Sequence, residues 1–342
     1  MKRLKTASID LTYNCNFRCL HCFNSSGEHS DKRKELTDDE ILKVAMDIAK
    51  MEPDSMCLCG GETMLRKDLI LKVCSKIKKS VYKSVQISTV SNGYLIDEEV
   101  AEDLSKSGLD LIQISLDGAT ALSHDWLRNK EGSFEKALNA ISLLKKAGLK
   151  VAVAFTPTKK NINELESAID LAFNLGATFF RIQPTMSLGR ARANLQDYLL
   201  NYFDYLDIKF ILDKKRKQYS SSTLYTLEWG DPLDHLQYGM KETNLLYIIS
   251  VGAYGDIMLT PYLPFVFGNV RDHSVIEYID GGLKEAWNNP VIRNIVSKIN
   301  SVDEMDTSLY GLPEIFSGEN INLDILSPDY KNSTEMILNT FK

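Results

Sequence analysis

Cysteine is absent beyond residue 74, and this absence limits the disulfide and metal chemistry open to the chain. A disulfide framework would spread its cysteines across the whole fold, whereas these lie together in the first quarter. The distribution therefore indicates a reduced, cytoplasmic protein with a local metal site. The six cysteines are Cys15, Cys19, Cys22, Cys57, Cys59 and Cys74.

The sequence also lacks a long apolar run and an excess of basic charge. No segment has the length and hydrophobicity of a membrane span, and the basic start is not followed by the apolar core of a signal peptide. A formal net charge of −6 argues against non-specific binding to nucleic acid. The 342 residues, 44% of them hydrophobic, fit a soluble globular protein with one large domain or two.

Three of the cysteines form a short motif, Cys15-x3-Cys19-x2-Cys22. Thiolates at this spacing can hold one iron–sulfur cube. Three ligands on a four-iron cluster leave one iron open, and an open metal position is typical of a catalytic site. A zinc site or unrelated core thiols remain alternatives. Zinc would need a fourth ligand, and His21 lies between two of the cysteines, where it is poorly placed to supply one.

Two further cysteines, Cys57 and Cys59, lie two apart on a predicted strand and therefore face the same side. A second metal site is one interpretation. Because a free cysteine behaves as a small buried hydrophobe, packing in the core is the preferred one.

Strands and helices alternate six times between residues 6 and 190, at intervals of roughly 25–35 residues. This is the βα pattern of a parallel sheet with helices outside it. Eight such units would close a barrel, whereas six predict an α/β fold with a partial (β/α)6 TIM-like barrel.

Distinctive sequences follow the first four predicted strands. The cysteine motif follows the first, and the other three are Gly60-Gly61-Glu62, Ser91-Asn92-Gly93 and Ser115-Leu-Asp117-Gly118. Because the carboxyl ends of barrel strands meet on one rim, these loops should form one site.

These motifs, in this order and at these strand ends, resemble the radical S-adenosylmethionine (SAM) superfamily over about residues 6–190. The resemblance implies one [4Fe-4S] cluster on Cys15, Cys19 and Cys22, with SAM bound to the open iron. It also implies an enzyme that reductively cleaves SAM to a 5′-deoxyadenosyl radical, which abstracts hydrogen from the substrate. An electron donor such as flavodoxin or ferredoxin would be a partner.

The resemblance assigns SAM contacts to seven residues. Glu62 would bind the methionine amine after the close-approaching glycines, Ser91 and Asn92 would face the ribose and methionyl part, and Ser115 with Arg128 would hold the carboxylate. Ordinary turns at the glycines and at Asn92, and a surface position for Arg128, are the alternatives. The assigned SAM residues are Gly60, Gly61, Glu62, Ser91, Asn92, Ser115 and Arg128. No residue stands out as a catalytic acid or base.

The C-terminal part is similar to the small α+β SPASM or twitch extension of this superfamily. The similar pieces include Gly255-Asp256-Ile257, Pro261-Tyr-Leu-Pro264 and Leu283-Lys-Glu-Ala-Trp287. Such extensions normally carry cysteines for auxiliary clusters, which this chain lacks. The predicted division is a barrel over 1–190, a helical linker over 191–222 and a cluster-free SPASM/twitch-like domain over 223–342.

The extension suggests a ribosomally synthesised peptide as substrate, modified by epimerisation or crosslinking. The barrel begins near residue 6, so a separate leader-peptide-binding protein is expected to present it. One alternative is radical modification of a small molecule such as a tetrapyrrole (haem precursor) side chain, because Pro261-x-x-Pro264 is similar to members that work on haem precursors. A non-catalytic iron–sulfur binding protein is the other alternative.

Overall fold

The computed structural model describes residues 3–29, 31–222, 225–241, 245–315 and 317–340. Eleven strands lie in these ranges. The strands are β1 Arg3–Asp10, β2 Ser55–Cys59, β3 Gln86–Ser91, β4 Leu111–Ser115, β5 Lys150–Phe155, β6 Phe179–Ile182, β7 Thr226–Trp229, β8 Leu245–Val251, β9 Ile257–Met258, β10 Phe265–Val266 and β11 Ile321–Asn322.

Twelve α-helices accompany the strands over the same ranges. The first helix begins with a capping box, the Thr37-x-x-Glu40 pattern of the sequence, in which Thr37 and Glu40 exchange side-chain and backbone hydrogen bonds. The helices are α1 Asp38–Ala49, α2 Lys67–Lys78, α3 Glu98–Ser107, α4 Ala121–Arg128, α5 Ser133–Lys146, α6 Leu165–Asn174, α7 Gly189–Asn194, α8 Tyr202–Gln218, α9 Leu233–Met240, α10 Val275–Asp280, α11 Pro290–Val296 and α12 Tyr330–Thr340.

The main sheet confirms the predicted α/β fold. Its order is β7-β6-β5-β4-β3-β2-β1-β8-β9, and all neighbouring pairs are parallel except β8 with β9. The six strands of the predicted partial barrel, β1 to β6, therefore lie side by side in chain order. In a parallel sheet of this kind the six carboxyl ends share one rim.

Three strands outside the predicted barrel extend this sheet, and the last of them, β9, pairs only with β8 among the described strands. β7 pairs with β6, and β8 pairs with β1 from Arg3↔Leu245 to Ile9↔Val251. The sequence places residues 245–251 in a separate C-terminal domain, whose predicted start at residue 223 lies outside the described ranges. In the structure, residues 245–251 form β8 and pair with β1 in the barrel sheet. The division of the chain into domains therefore remains a prediction.

The strands bury alternate side chains on opposite faces. In β2, Met56 and Leu58 are fully buried against the helices, whereas Cys57 and Cys59 are half-buried on the other face. Because side chains alternate along a strand, the second face lines the inside of the curved sheet. That interior is rich in small and polar side chains.

The C-terminal part packs around apolar side chains rather than around cysteines. Residues 259–267 meet the last helices in a closely filled region lined by Leu259, Leu263, Phe265, Phe267 and Trp287. No helix within the described ranges has the length and apolar character needed to cross a membrane.

Candidate active site

The cysteine motif lies in the loop between β1 and α1, at the carboxyl end of the first strand. Cys19 is buried, while Cys15 and Cys22 are half-buried, and all three are free thiols. The backbone N–H of Phe17 donates to Cys15 Sγ at 3.4 Å. Arg128 Nη1 donates to Cys19 Sγ at 3.9 Å. Two of the three sulfurs thus have donors that would stabilise a thiolate.

Two arginines hold the loop by its backbone. Arg18 Nη1 donates to the Cys15 carbonyl at 2.8 Å and its Nη2 to the Gly27 carbonyl at 2.8 Å. Arg190, from α7, donates through Nε to the Cys19 carbonyl at 2.9 Å. From the sequence, the Arg190 segment could be an anion site or a simple turn. In the structure its guanidinium is used to fasten the cysteine loop.

Gly189 explains how α7 comes so close to that loop. A Cβ at Gly189 would lie 2.4 Å from the Phe23 carbonyl oxygen and 2.7 Å from that of Cys22. No side chain fits at this position, so glycine permits the contact on which the hydrogen bonds of Arg190 depend.

Gly60 and Gly61 join the end of β2 to the start of the cysteine loop. A Cβ at Gly60 would lie 2.3 Å from the Thr12 carbonyl oxygen, and one at Gly61 would lie 2.1 Å from that of Asn14. Gly61 N–H donates to the Thr12 carbonyl at 2.7 Å, and Glu62 N–H to the Asn14 carbonyl at 2.9 Å. The glycines are thus required by backbone packing within the protein, whatever ligand they also approach.

Glu62 is buried and fixed by three donors. Its Oε1 accepts from the Ser91 hydroxyl at 2.7 Å and from Met64 N–H at 3.0 Å, and its Oε2 accepts from Asn92 N–H at 2.8 Å. Burial raises the pKa of Glu62 above its ordinary value, although these hydrogen bonds and the charge of Arg128 lower it in part. The structure therefore brings together three predicted residues, Glu62, Ser91 and Asn92, around one carboxylate.

Asn92 also connects β3 to the cysteine loop. Its side-chain amide donates to Asn16 Oδ1 at 2.8 Å, and its own Oδ1 accepts from Tyr94 N–H at 3.0 Å. Sequence reasoning does not single out Asn16, which lies within the cysteine motif as an ordinary polar residue.

Arg128 is a buried residue and not the surface arginine of the alternative interpretation. It is 9% exposed, and its Nε lies 2.6 Å from Asp117 Oδ2. His21 Nε2 lies 3.8 Å from the same oxygen, and burial lowers the pKa of His21 to about 4, so the ring is neutral near pH 7. Burial raises the pKa of Asp117, but Arg128, the two nearby histidines and the Thr156 N–H together lower it by more, so the pKa lies below its ordinary value.

Ser115 ends β4 and is half-buried on the interior face. The predicted pair of Ser115 with Arg128 makes no hydrogen bond in the described part of the chain. The ion-pair partner of Arg128 is Asp117, a residue whose position in the sequence suggests only a brace for its loop.

Comparison with known proteins identifies the family of this chain. The Radical SAM superfamily matches residues 9–172. Mycofactocin maturase MftC of Mycolicibacterium smegmatis is 32% identical over 297 residues, which are 81% of this chain and 68% of that protein. AdoMet-dependent heme synthase of Methanosarcina barkeri is 26% identical over 298 residues, 82% of this chain and 81% of that protein.

The chain belongs to the radical SAM superfamily. It is therefore an enzyme, and its cofactors are a [4Fe-4S] cluster and SAM. A solved structure, anSMEcpe with bound AdoMet and Cp18Cys peptide, has the same fold at 16% identity and a TM-score of 0.65. The match covers 98% of this chain and 99% of that one.

The donor set of this radical SAM enzyme fits a cluster better than a single ion. Across the residues described, no three cysteine, histidine or acidic side chains are arranged to hold one metal ion. Each thiolate of a cubane binds a different iron, so the sulfurs need not converge on one atom. Burial raises the pKa of Cys19 to about 12, against the lowering effect of Arg128, so this thiol would have to lose its proton on binding iron.

The interior of the radical SAM barrel holds ionisable groups that sequence reasoning misses or assigns otherwise. Cys57 and Cys59, interpreted from the sequence as core residues, both face the interior with their Sγ atoms 2.9 Å apart. Asp10 ends β1, and burial raises its pKa to about 7, against a hydrogen bond from Tyr13. Arg181 lies on β6. Alternation along each strand is the signal that could have found them.

Proposed function

We propose that this radical SAM enzyme modifies a ribosomally synthesised peptide, by epimerisation or by crosslinking. The observation that carries the proposal is the similarity to mycofactocin maturase, which extends over 81% of this chain and includes both the barrel and the C-terminal part. The structural likeness to anSMEcpe with a bound peptide supports the proposal only at the level of the fold.

The proposal assigns the cluster to Cys15, Cys19 and Cys22. It assigns SAM to the groove between this loop and the ends of the next three strands, where Glu62 would accept from the SAM ammonium and Arg128 would pair with its carboxylate. The full set of proposed SAM residues is Gly60, Gly61, Glu62, Ser91, Asn92, Ser115 and Arg128. When bound, the cluster and SAM supply the one-electron chemistry of the family.

The protein's own contribution is to fix these groups and to exclude water. Three hydrogen bonds hold the Glu62 carboxylate in one orientation before any ligand arrives. Asp117 balances the charge of Arg128 inside the protein, and its Oδ2 fixes the guanidinium through Nε. Such preorganised, buried groups lower the cost of orienting a ligand at the site.

A C-terminal SPASM/twitch-like domain without an auxiliary cluster is part of this proposal. Its function would be to cover the barrel and to contact the substrate. A flavodoxin-like or ferredoxin-like electron donor and a separate leader-peptide-binding protein are the expected partners.

Radical modification of a tetrapyrrole side chain is the second candidate. Its support is the similarity to AdoMet-dependent heme synthase, which covers 82% of this chain and 81% of that protein. The non-catalytic alternative is set aside, because the family consists of enzymes.

The test uses the full chain after anaerobic reconstitution, with SAM, a reductant and short peptides encoded beside its gene. The peptide proposal predicts 5′-deoxyadenosine together with a product that has either taken up deuterium from D2O or lost two hydrogens. Fe-coproporphyrin III is tested in parallel. A change in the tetrapyrrole with no change in any peptide would contradict the peptide proposal and support the second candidate.

Iron content tests the cluster assignment separately. The wild type should bind about four irons per chain, and the Cys15/Cys19/Cys22→Ala variant none. Cys74→Ala is the matched control, because Cys74 is buried in α2 away from the loop and its loss should leave iron unchanged. Stoichiometric zinc in the wild type would overturn the assignment.

A further inference from the structure

Arg181 is a cation inside the barrel that has no anionic partner in the part of the chain that the structure describes. Its Nε is buried without a hydrogen-bond partner, and the side chain is half-buried on the interior face of β6. Leaving a charged group out of water and unpaired is costly, so natural proteins rarely keep one without a use.

The neighbouring acids do not neutralise it. Glu228 of β7 is directly opposite Arg181 in the sheet, yet these two described residues form no ion pair. Asp10 is another interior acid, but its pKa is set by burial and by Tyr13. The positive charge is thus available to something that enters the barrel.

The local structure is built to keep the guanidinium where it is. A Cβ at Gly230, just after β7, would lie 2.3 Å from Arg181 Nε and 3.0 Å from its Cζ. Because Gly230 has no side chain, the Arg181 guanidinium can pack directly against the backbone at the end of β7. His235 and Tyr262 lie close enough for the Arg181 charge to affect their pKa values. Their rings are 5.0 Å apart, and Gln183 Nε2 donates to Tyr262 Oη at 3.5 Å.

The interior thiols lie within the electrostatic reach of Arg181. The pKa of Cys57 is lowered, mainly by a hydrogen bond from Cys59 and further by Arg181. The pKa of His235 is lowered to about 4 by burial and by the same charge. A neutral histidine, a tyrosine and a glutamine beside one arginine form a polar wall with a single positive charge.

We propose that the barrel interior contains a subsite for a carboxylate group of the substrate, with the Arg181 guanidinium as its anchor. The planar, always charged guanidinium binds carboxylates through paired hydrogen bonds. This subsite rests on the function proposed above, because it specifies that the substrate of the radical SAM reaction carries a carboxylate. That carboxylate belongs either to a peptide, as an acidic side chain, or to a tetrapyrrole, as a propionate.

The test uses Cys57 and Cys59 as reporters of charge beside Arg181. The holoenzyme, with its motif cysteines on the cluster, is treated with anionic iodoacetate or neutral iodoacetamide, and modification of each cysteine is followed by mass spectrometry. The ratio of iodoacetate to iodoacetamide rates at these thiols should fall about tenfold in Arg181→Met, because one nearby positive charge is lost. Arg181→Lys should keep most of the ratio.

Two controls keep this experiment interpretable. Iodoacetamide rates that do not rise show that Arg181→Met has not opened or unfolded the barrel, because loss of the charge by itself raises the pKa of Cys57 and slows both reagents alike. Arg192→Met removes an arginine of α7 that pairs with Asp306 at 3.4 Å instead, and it should leave the ratio unchanged. An unchanged ratio in Arg181→Met would overturn the proposal, as would loss of the iodoacetate preference on adding SAM alone, which would assign Arg181 to the cofactor.

Protection by carboxylate probes then distinguishes the two sources. Coproporphyrin III is compared with its tetramethyl ester, and acetyl-Ala-Glu-Ala-amide with its glutamine counterpart. Protection of Cys57 and Cys59 by one acid, but not by its neutral partner, supports the subsite and identifies the source. Protection by the tetrapyrrole alone would keep the subsite while contradicting the peptide function, and protection by neither acid would overturn the subsite.

Discussion

At the scale of single residues, the Ser91 hydroxyl has a defined task, which is to orient the Glu62 carboxylate. Ser91→Ala leaves that buried carboxylate with two donors, and the missing hydrogen bond costs about 1–3 kcal/mol. If Glu62 contacts SAM as proposed, we expect about tenfold weaker SAM binding, measured by equilibrium dialysis on the reconstituted enzyme.

The control for this variant is Ser142→Ala, which removes a hydroxyl that bonds to the Leu138 carbonyl on α5, far from the strand ends. Its SAM affinity should match that of the wild type. Wild-type affinity in Ser91→Ala as well would show that Glu62 does not act through this arrangement.

Asp10 gives the fold a dependence on pH. Its folded pKa is about 7, above the ordinary 3.8, because burial disfavours the carboxylate. The protonated form therefore stabilises the fold fully below about pH 4, and this contribution is lost as pH rises through 7. We expect the free energy of unfolding to fall by about 2 kcal/mol between pH 5 and pH 8 through this group, and Asp10→Asn to remove that part.

The measurement is chemical denaturation of both proteins at several pH values. Asp207→Asn, on the exposed side of α8, is the matched control and should keep the wild-type slope. If the free energy of unfolding depends on pH equally in Asp10→Asn and in the wild type, Asp10 is ionised and hydrogen-bonded in the folded protein.

At the scale of elements, the contact between the end of β2 and the cysteine loop should tolerate no side chain. Gly60 has φ +132° and no room for a Cβ, whereas Gly132 has φ +74° and nothing within 4 Å. Both alanine variants carry backbone strain, and Gly60→Ala adds a less tolerated φ and the clash with Thr12. We expect Gly60→Ala to unfold about 3 kcal/mol more easily than Gly132→Ala in denaturant titrations. Equal stability would show that the loop can move away without cost.

Helix α7 should act as a clamp on the cysteine loop. Arg190 donates to the Cys19 and Ser26 carbonyls and pairs with Glu28 at 2.7 Å. Arg190→Met should speed hydrogen exchange over residues 15–28 and increase the rate of iron loss several-fold, because the loop loses its fastening to the barrel. Arg192→Met, in the same helix, should change neither; faster exchange in both variants would point to a general loosening of α7.

Some of these elements could be predicted from the sequence and others could not. The capping box at Thr37 and the four strand-end motifs depend on local spacing, which the sequence displays directly. Helix α4 is harder to predict, because it is short and Thr120, at its N-terminus, makes no side-chain capping bond. The clamp by Arg190 and the ion pair of Arg128 with Asp117 depend on contacts between segments far apart in the chain, which spacing alone does not reveal.

At the scale of the whole molecule, the barrel depends on the strand that follows α9. β8 forms a ladder with β1 along nearly its whole length, and Ser8 Oγ donates to Ser250 Oγ at 2.8 Å. Without β8, strand β1 would become an edge with unpaired backbone groups, which is a liability in solution. The charged contact between Arg33 and Asp256, at 2.7 Å, ties the cysteine loop region to the same C-terminal part.

A chain limited to residues 1–222 should therefore fail to fold cooperatively, although it contains every predicted cluster and SAM residue. We expect a broad denaturation transition and little bound iron, because loss of β8 leaves the backbone edge of β1 unpaired beside the cysteine loop. Co-expression with residues 223–342 should restore both properties if the two pieces reassemble along the β1–β8 ladder. A sharp transition and about four irons per chain in the shortened chain alone would instead establish residues 1–222 as an independent unit and confirm the boundary predicted from the sequence.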